Sequence, residues 1–531
     1  MINTRTWIYS AVVLSGHLSA EVKVHNKPEL KFHVENKVVT GKSPFPCTPV
    51  APLDNPWPNT QVEPSIAIGR NPIDHRYPMI VIGYQEDRYS AGGGANADYM
   101  IISLDGGKTF GKPIPVPNVT CFGGPYDRAS DPNVAISSTG DIYYATLPFS
   151  LTTGLWNVSI AKYNVRKKKF SYVKYLDSEN VHLPPFFAVT DFDGIIADPQ
   201  DESGKTVYVT WDYDFYPNAN FSKGQSILKM SKTTDGVNWS PPMSIYQFPE
   251  SVVANYGGDA GSQFGGLALL NNPGKPYSKL LNTFQLAINQ DIPPLPFVQA
   301  SFFYSTVSCD QGKTWSNPIP LDNTLNNVFG QVVDPDNFDK IIRAFGGGAV
   351  VDRDRNIIYN ITQEHSLVYD GIPSQVILYV STDDAASWNK IGPINTVLST
   401  QAFSANASII DEGRIAVSYY DFRKFKGNDP SGSLKTDRWL DIYYYDKESK
   451  KLTLETELRL TDESFNFRNA PSVQAGLVVP PGLFLGDYVS QVFFERKIYN
   501  VFGIVPQNSG PNSAHLQLST ITQIHPIPGN Q

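Results

Sequence analysis

Six short stretches of this 531-residue chain set titratable side chains close together. Leu485-Gly486-Asp487-Tyr488 puts a carboxylate into an otherwise apolar strand. Left unpaired there, it would be costly. Asp487 is therefore a ligand contact or acid with Tyr488 beside it, or a carboxylate bonded to backbone amides that locks adjacent sheets. Tyr419-Tyr420-Asp421-Phe422-Arg423 ends a strand with an acid and a guanidinium two residues apart. That pair could be bidentate and buried, which makes its plainer role structural. The others are Glu86-Asp87-Arg88-Tyr89, Asp127-Arg128 with Asp131, Asp212 with Asp214, and Asp259 in Tyr256-Gly257-Gly258-Asp259-Ala260-Gly261. Acid–base catalysis would need one carboxyl raised by burial or by a neighbouring carboxylate. Turn chemistry or a surface ion pair is the plainer reading of each. Asp487, Tyr488, Asp421, Arg423, Asp87, Arg88 and Asp259 are the catalytic candidates.

Other chemistries lack their motifs. There is no phosphate-binding glycine loop, no Gly-x-Ser-x-Gly elbow, no Cys-x-x-Cys and no His-Glu-x-x-His. Asp191-Phe192-Asp193-Gly194 with Asp198 falls short of a calcium loop. No metal and no cofactor is expected. The net charge of −8 offers no basic face for nucleic acid. The one dense basic run, Arg166 to Lys169, reads as a solvated hairpin tip.

The elements that carry these residues must be short strands. Charged residues make up only 18% and aromatics 12%, with 40 Gly and 41 Pro. Few charges and many aromatics exclude disorder, and the composition is not that of a coiled coil. Turn formers and aromatics together imply many strands joined by tight turns. Residues 1–20 read as a secretory leader: Arg5, an apolar stretch from Trp7 to Gly16, and Leu18-Ser19-Ala20 before Glu21. A secreted, extracellular protein is expected. No later segment has the roughly 18 apolar residues of a membrane span.

Of three cysteines, Cys47 and Cys121 lie in Pro/Gly-rich loops and are the expected disulfide; Cys309 is expected buried and free. Sequons at Asn118, Asn157, Asn220, Asn238, Asn360 and Asn406 are glycosylation candidates, at about the number chance supplies.

One motif recurs. Ser103-Leu104-Asp105-Gly106-Gly107-Lys108-Thr109-Phe110 and Ser308-Cys309-Asp310-Gln311-Gly312-Lys313-Thr314-Trp315 share Ser-x-Asp-x-Gly-x-Thr-aromatic. Ser381 to Trp388 keeps Ser381, Asp383 and Trp388 but has Ala for Gly and Ser for Thr. Thr233 to Trp239, with Asp235, is one residue shorter. Asp bonds backbone N–H groups two residues on, Gly takes a positive φ, and the aromatic starts the next strand. Successive Asp positions are 130, 75 and 73 residues apart. If the first gap spans two units, the period is about 70 residues. Unit starts read as Glu63-Pro64-Ser65-Ile66-Ala67-Ile68, Asp131-Pro132-Asn133-Val134-Ala135-Ile136, Gly194–Ala197, Gly265–Leu269, Gly348–Val351, Ala407–Ile410 and Leu483–Tyr488.

This motif is the Asp-box, and the chain resembles the sialidase-like (BNR-repeat) β-propeller superfamily from about Gln61 to Ile521. The resemblance implies an all-β fold: one propeller over 61–525 with six to seven four-stranded blades, seven favoured by the count. Residues 21–60 form an arm, in which Leu30 to Glu35 could add the strand that closes the ring. Leu485–Tyr488 and Tyr419–Arg423 resemble motifs of bacterial secreted members. A sialidase needs an arginine cluster, a Tyr nucleophile with a Glu, and an Asp acid/base. Catalytic members usually carry Phe/Tyr-Arg-Ile-Pro near the first blade, and no such tetrapeptide occurs here. The implied function is cleavage of a glycosidic bond in an extracellular glycan, by hydrolysis or by a lyase reaction. The alternatives are a non-catalytic propeller binding glycans or a protein partner, and a propeller recruited to small-molecule chemistry. The expected ligand, glycan or other small molecule, sits at the channel mouth.

Overall fold

Alternating apolar residues make each strand two-faced, so every sheet must bury one face against another. The computed structural model describes residues 31–50, 55–177, 187–216, 225–255, 260–292, 295–323, 326–327, 332–364, 373–410, 413–427, 432–474 and 481–524. The leader over 1–20, Asp259 and Asn220 lie outside these residues.

The chain lays down antiparallel sheets in order. Sheet 1 holds Gln61–Gly69, Met79–Arg88, Ala95–Ser103 and Ile114–Pro115. Sheet 2 holds Arg128–Ile136, Ile142–Ser150, Ser159–Asn164 and Lys169–Tyr175, and one bridge, Ala95 to Ala129, joins it to sheet 1. Sheet 3 runs Phe187–Ala197, Val207–Tyr216, Gln225–Thr233 and Met243–Tyr246. Sheet 4 runs Ala260–Leu270, Lys279–Ile292, Leu295–Ser308 and Ile319–Pro320. Sheet 5 runs Gly347–Asp352, Ile357–Glu364, Gln375–Ser381 and Asn389–Pro393. Sheet 6 runs Ala402–Ile410, Arg414–Asp421, Lys435–Asp446 and Lys451–Arg459. Sheet 7 has Ser490–Phe494, Lys497–Ile504 and His515–Ile524, and its fourth strand is Lys31–Val38 from the other end of the chain.

The first strand of each sheet packs on the first strand of the next, and that of sheet 7 packs back on that of sheet 1. The core lies between neighbouring sheets rather than in one mass. Ile80, Tyr84 and Ile101 of sheet 1 meet Tyr499, Leu516 and Leu518 of sheet 7. Tyr208, Leu228 and Met230 of sheet 3 meet Leu280, Phe284 and Leu286 of sheet 4. Each such aliphatic side chain, fully buried, contributes about 2 kcal/mol.

The repeated turns are held alike. Ser103 Oγ donates to Asp105 Oδ1 at 2.8 Å and accepts from Gly107 N at 2.8 Å; Asp105 accepts from Thr109 N at 2.9 Å and Thr109 Oγ1 at 2.6 Å. Asp310 and Asp383 repeat these bonds through Ser308 with Thr314 and Ser381 with Ser387. In the short version Asp235 accepts from Val237 N and Asn238 N.

Several expectations change. Gly482–Phe484 does not open sheet 7: it sits in a small extra sheet with Ser472–Val473, Asn337–Arg343 and Val332–Asp334. Cys309 is free but exposed, because it occupies a variable turn position whose side chain points outward. Cys47 and Cys121 form a disulfide that ties the arm to the loop after sheet 1. Asn118, Asn157 and Asn360 are buried, so a glycan cannot be attached to them in the folded chain.

Candidate functional site

Three of the first strands start in the same way. A β-bulge interrupts the ladder between Val62 and Ser65 in sheet 1, Ser130 and Asn133 in sheet 2, and Phe403 and Asn406 in sheet 6. Each bulge holds a non-glycine residue in the left-handed region: Glu63 at φ 52°, Asp131 at 54° and Ser404 at 48°. Such a conformation costs on the order of 1–3 kcal/mol and clusters at functional sites. Here it turns Glu63 and Asp131 towards the lead-in to sheet 7.

Two glycines let that lead-in approach. Gly486 adopts φ 130°, and a Cβ there would meet Glu63 N at 2.7 Å. A Cβ on Gly482 would meet Arg343 Cγ at 2.8 Å. The small extra sheet pairs Ile341–Arg343 in parallel with Gly482–Phe484, and so sets Arg343 against Asp487.

The result is an acidic cluster with two guanidiniums, buried except at Asp487, whose side chain is 24% exposed. Glu63, only 1% exposed, accepts from Gln85 Nε2 and lies 3.4 Å from the backbone N–H of Asp487. Ser130 Oγ donates to Asp131 Oδ1 at 2.9 Å. Arg343 Nη2 stands 4.0 Å from Asp487 Oδ2. Arg88 donates to Gly94 O, with its guanidinium 5.1 Å from the Phe484 ring centre. Asp98 is fully buried and accepts from Thr146 Oγ1. Among the described residues, Asp487 Oδ1, Asp98 Oδ1, Arg88 Nε and Arg343 Nε and Nη1 have no hydrogen-bond partner.

Electrostatics pushes these carboxyls up. Burial raises Glu63 well above the usual range, and the charges of Asp131 and Asp487 add to it. Burial likewise raises Asp487; Arg343 opposes this and Asp131 reinforces it. Burial lifts Asp98 to about 8 despite the Thr146 bond. These groups hold protons well above the pH at which free carboxyls lose them.

Asp487 also touches a cavity of about 140 Å³. Its walls come from sheet 4 (Gly266, Gln285, Phe303), sheet 5 (Gly347, Asn360, Gln363), sheet 6 (Asn406) and the sheet 7 lead-in (Asp487, Tyr488). Tyr488 Oη lies 3.4 Å from Pro132 O and lines the same cavity. A protonated carboxyl at a cavity wall can donate a proton to a bound oxygen atom.

Of the sequence candidates, Asp487, Tyr488 and Arg88 come together. Asp87 does not join them: it accepts from Asn59 N and Ser43 Oγ, both at 2.7 Å, and so anchors the arm. Asp421 and Arg423 form a 2.5 Å ion pair of their own. Arg423 continues to Glu457 at 2.7 Å and lies 3.9 Å over the Trp439 ring. Neither residue lines the cavity, because that local network consumes their polar atoms. Glu63, Asp98 and Arg343 were not among the candidates. The signal for Glu63 was present, as the acid-proline step Glu63-Pro64 recurs in Asp131-Pro132.

No family model and no curated relative matches the chain. Solved structures do. A protein of unknown function from Dyadobacter fermentans is 14% identical, with TM-score 0.43, covering 94% of this chain and 100% of that one. The α-L-arabinofuranosidase Arb93A of Fusarium graminearum is 12% identical, with TM-score 0.39, covering 72% and 93%. A polysaccharide lyase of family PL25, an ulvan lyase, is 10% identical, with TM-score 0.42, covering 67% and 76%. Likenesses this loose carry no argument about what this chain does.

Proposed function

We propose that the chain is a secreted β-propeller of seven blades that cleaves glycosidic bonds in an extracellular glycan, with Asp487 as its acid. The unbroken cycle of first-strand packing supports the ring. Lys31–Val38, paired along Ile524 to Gln517, supports closure by the arm. The observation that carries the catalytic reading is Asp487: raised by burial, facing Glu63, Asp131 and Arg343, and lining the cavity. Asp487 gives its proton to the leaving-group oxygen as the glycosidic bond breaks. A water oxygen bonds to the anomeric carbon in the leaving group's place, and the proton it sheds returns to Asp487, with Glu63 and Arg343 fixing the carboxyl's orientation.

The test is a panel of chromogenic glycosides and polysaccharides, neutral and acidic, with wild type and Asp487→Asn. We expect turnover of at least one member, and a fall of about 100-fold or more in the variant at a melting temperature no lower than that of wild type. No turnover of any member, with glycan-array binding retained, makes the propeller a binding module instead.

A further inference from the structure

The cavity beside Asp487 also states what kind of ring it takes. Two amides in its wall are almost completely buried: Gln285 at 5% exposure and Asn360 at 2%. Among the described residues, Gln285 Oε1 and Asn360 Oδ1 have no hydrogen-bond partner, and neither does Asp487 Oδ1. All three orphans are acceptors. A buried acceptor without a donor costs on the order of 1–3 kcal/mol, so the site is completed by a molecule that brings donors.

The rest of the wall narrows the choice. Phe284, Phe303, Tyr304 and Phe345 make part of the wall aromatic, and no Lys, Arg or His lines the cavity among the described residues. Arg343 stands behind Asp487, not in the wall. Nothing in the wall compensates the charge of a carboxylate or sulfate, whose burial there would be costly. A cavity of about 150 Å³ takes one six-membered ring, so this one, at about 140 Å³, has room for one ring and not two.

We propose that the cavity binds the single terminal ring of a neutral sugar. Its hydroxyls donate to Gln285, Asn360 and Asp487, and its C–H face lies on the aromatic wall. This deepens the glycan reading above and rests on it, but it concerns binding and is tested without turnover.

The experiment is saturation-transfer NMR and titration calorimetry on the full wild-type chain. The probes are methyl glycosides of glucose, galactose, xylose and arabinose, with glucuronic acid, N-acetylneuraminic acid and glucosamine beside them. At least one neutral glycoside should bind, with saturation reaching its ring protons from aromatic side chains. The acidic rings should bind at least tenfold more weakly. Asn360→Leu and Gln285→Leu should each weaken the neutral ligand about tenfold. Where a leucine variant does not fold, Asn360→Ser or Gln285→Ser gives the same comparison. The proposal falls if no neutral ring binds, if an acidic or amino sugar binds as tightly, or if both amide variants bind like wild type. Absence of turnover with neutral binding intact would overturn only the enzyme reading.

Discussion

The molecule holds two sets of carboxyl groups in opposite conditions. At the repeated turns, burial alone would raise Asp105, Asp310 and Asp383. Hydrogen bonds from Thr109, Thr314 and Ser387 outweigh it and hold all three below the usual range. Asp235 is lowered chiefly by the backbone N–H groups of Asn238 and Val237. At the cavity end, Glu63, Asp98 and Asp487 are raised. Their neighbours are other carboxyls, and the nearby guanidiniums do not make up for the lost water. Depth is only part of the difference: each turn Asp is given N–H and O–H donors by its own hairpin, while the cavity acids meet across sheets and share few. Ionised and satisfied groups hold structure; protonated and unsatisfied ones are available for chemistry.

The contrast predicts opposite pH dependences. A group raised by folding keeps its stabilisation below its unfolded pKa and loses it as pH rises through the folded value. Asp98, lifted to about 8, should therefore make the protein lose stability between about pH 4 and pH 8. Asp98→Asn removes that titration. The variant should gain on wild type by on the order of 5 kcal/mol at pH 8 and by little at pH 4, read by urea unfolding at both. Equal slopes in the two proteins would mean that Asp98 is ionised in the fold, and the contrast would lose its strongest member.

How far the sequence shows this contrast follows from the range of the contacts. The turns are legible because every donor and acceptor lies within a few residues: Ser103, Asp105, Gly107 and Thr109 carry the whole network. The cavity cluster draws Glu63, Asp98, Asp131, Arg343 and Asp487 from distant segments, and no local spacing records that meeting. Asp487 and Arg88 could be picked out by type and by position at a strand end. Asp421 looked equivalent in sequence, yet Arg423, two residues on, takes its charge. The insertion that carries Arg343 has no counterpart in the repeat, so its pairing with Gly482–Phe484 was invisible to a period of about 70 residues. The buried sequons and the exposed Cys309 mark the same limit, since exposure depends on which face of a strand or turn a residue takes.

The turn carboxylates give a smaller effect of the other sign. A lowered carboxyl stabilises above its unfolded pKa, and that contribution is lost as pH falls through the folded value. Asp310→Ala removes the acceptor for Thr314 N and Thr314 Oγ1 and should cost about 1–2 kcal/mol at pH 7. The cost should shrink towards pH 2. Asp310→Asn keeps one carbonyl acceptor and should lose less. A cost independent of pH would show that the turn needs the side chain's shape and not its charge.

The smallest effect separates two forces within one turn. The turn at Asp383 has Ala385 where the turns at Asp105 and Asp310 have Gly107 and Gly312. Ala385 adopts φ 66°, a left-handed conformation that costs a non-glycine residue roughly 1–2 kcal/mol. Its methyl is also buried, in the cluster with Leu270, Leu281 and Ile358, and losing a buried methyl costs about 0.8 kcal/mol. Strain is the larger quantity, so Ala385→Gly should stabilise the protein by about 0.5 kcal/mol, read as a small rise in melting temperature. The same exchange should leave the affinity of the cavity for a neutral glycoside unchanged, because the turn and the cavity lie at opposite ends of sheet 5's strands. A fall in stability would mean that packing between sheets 4 and 5 outweighs backbone strain, and that the alanine in this repeat contributes to the core.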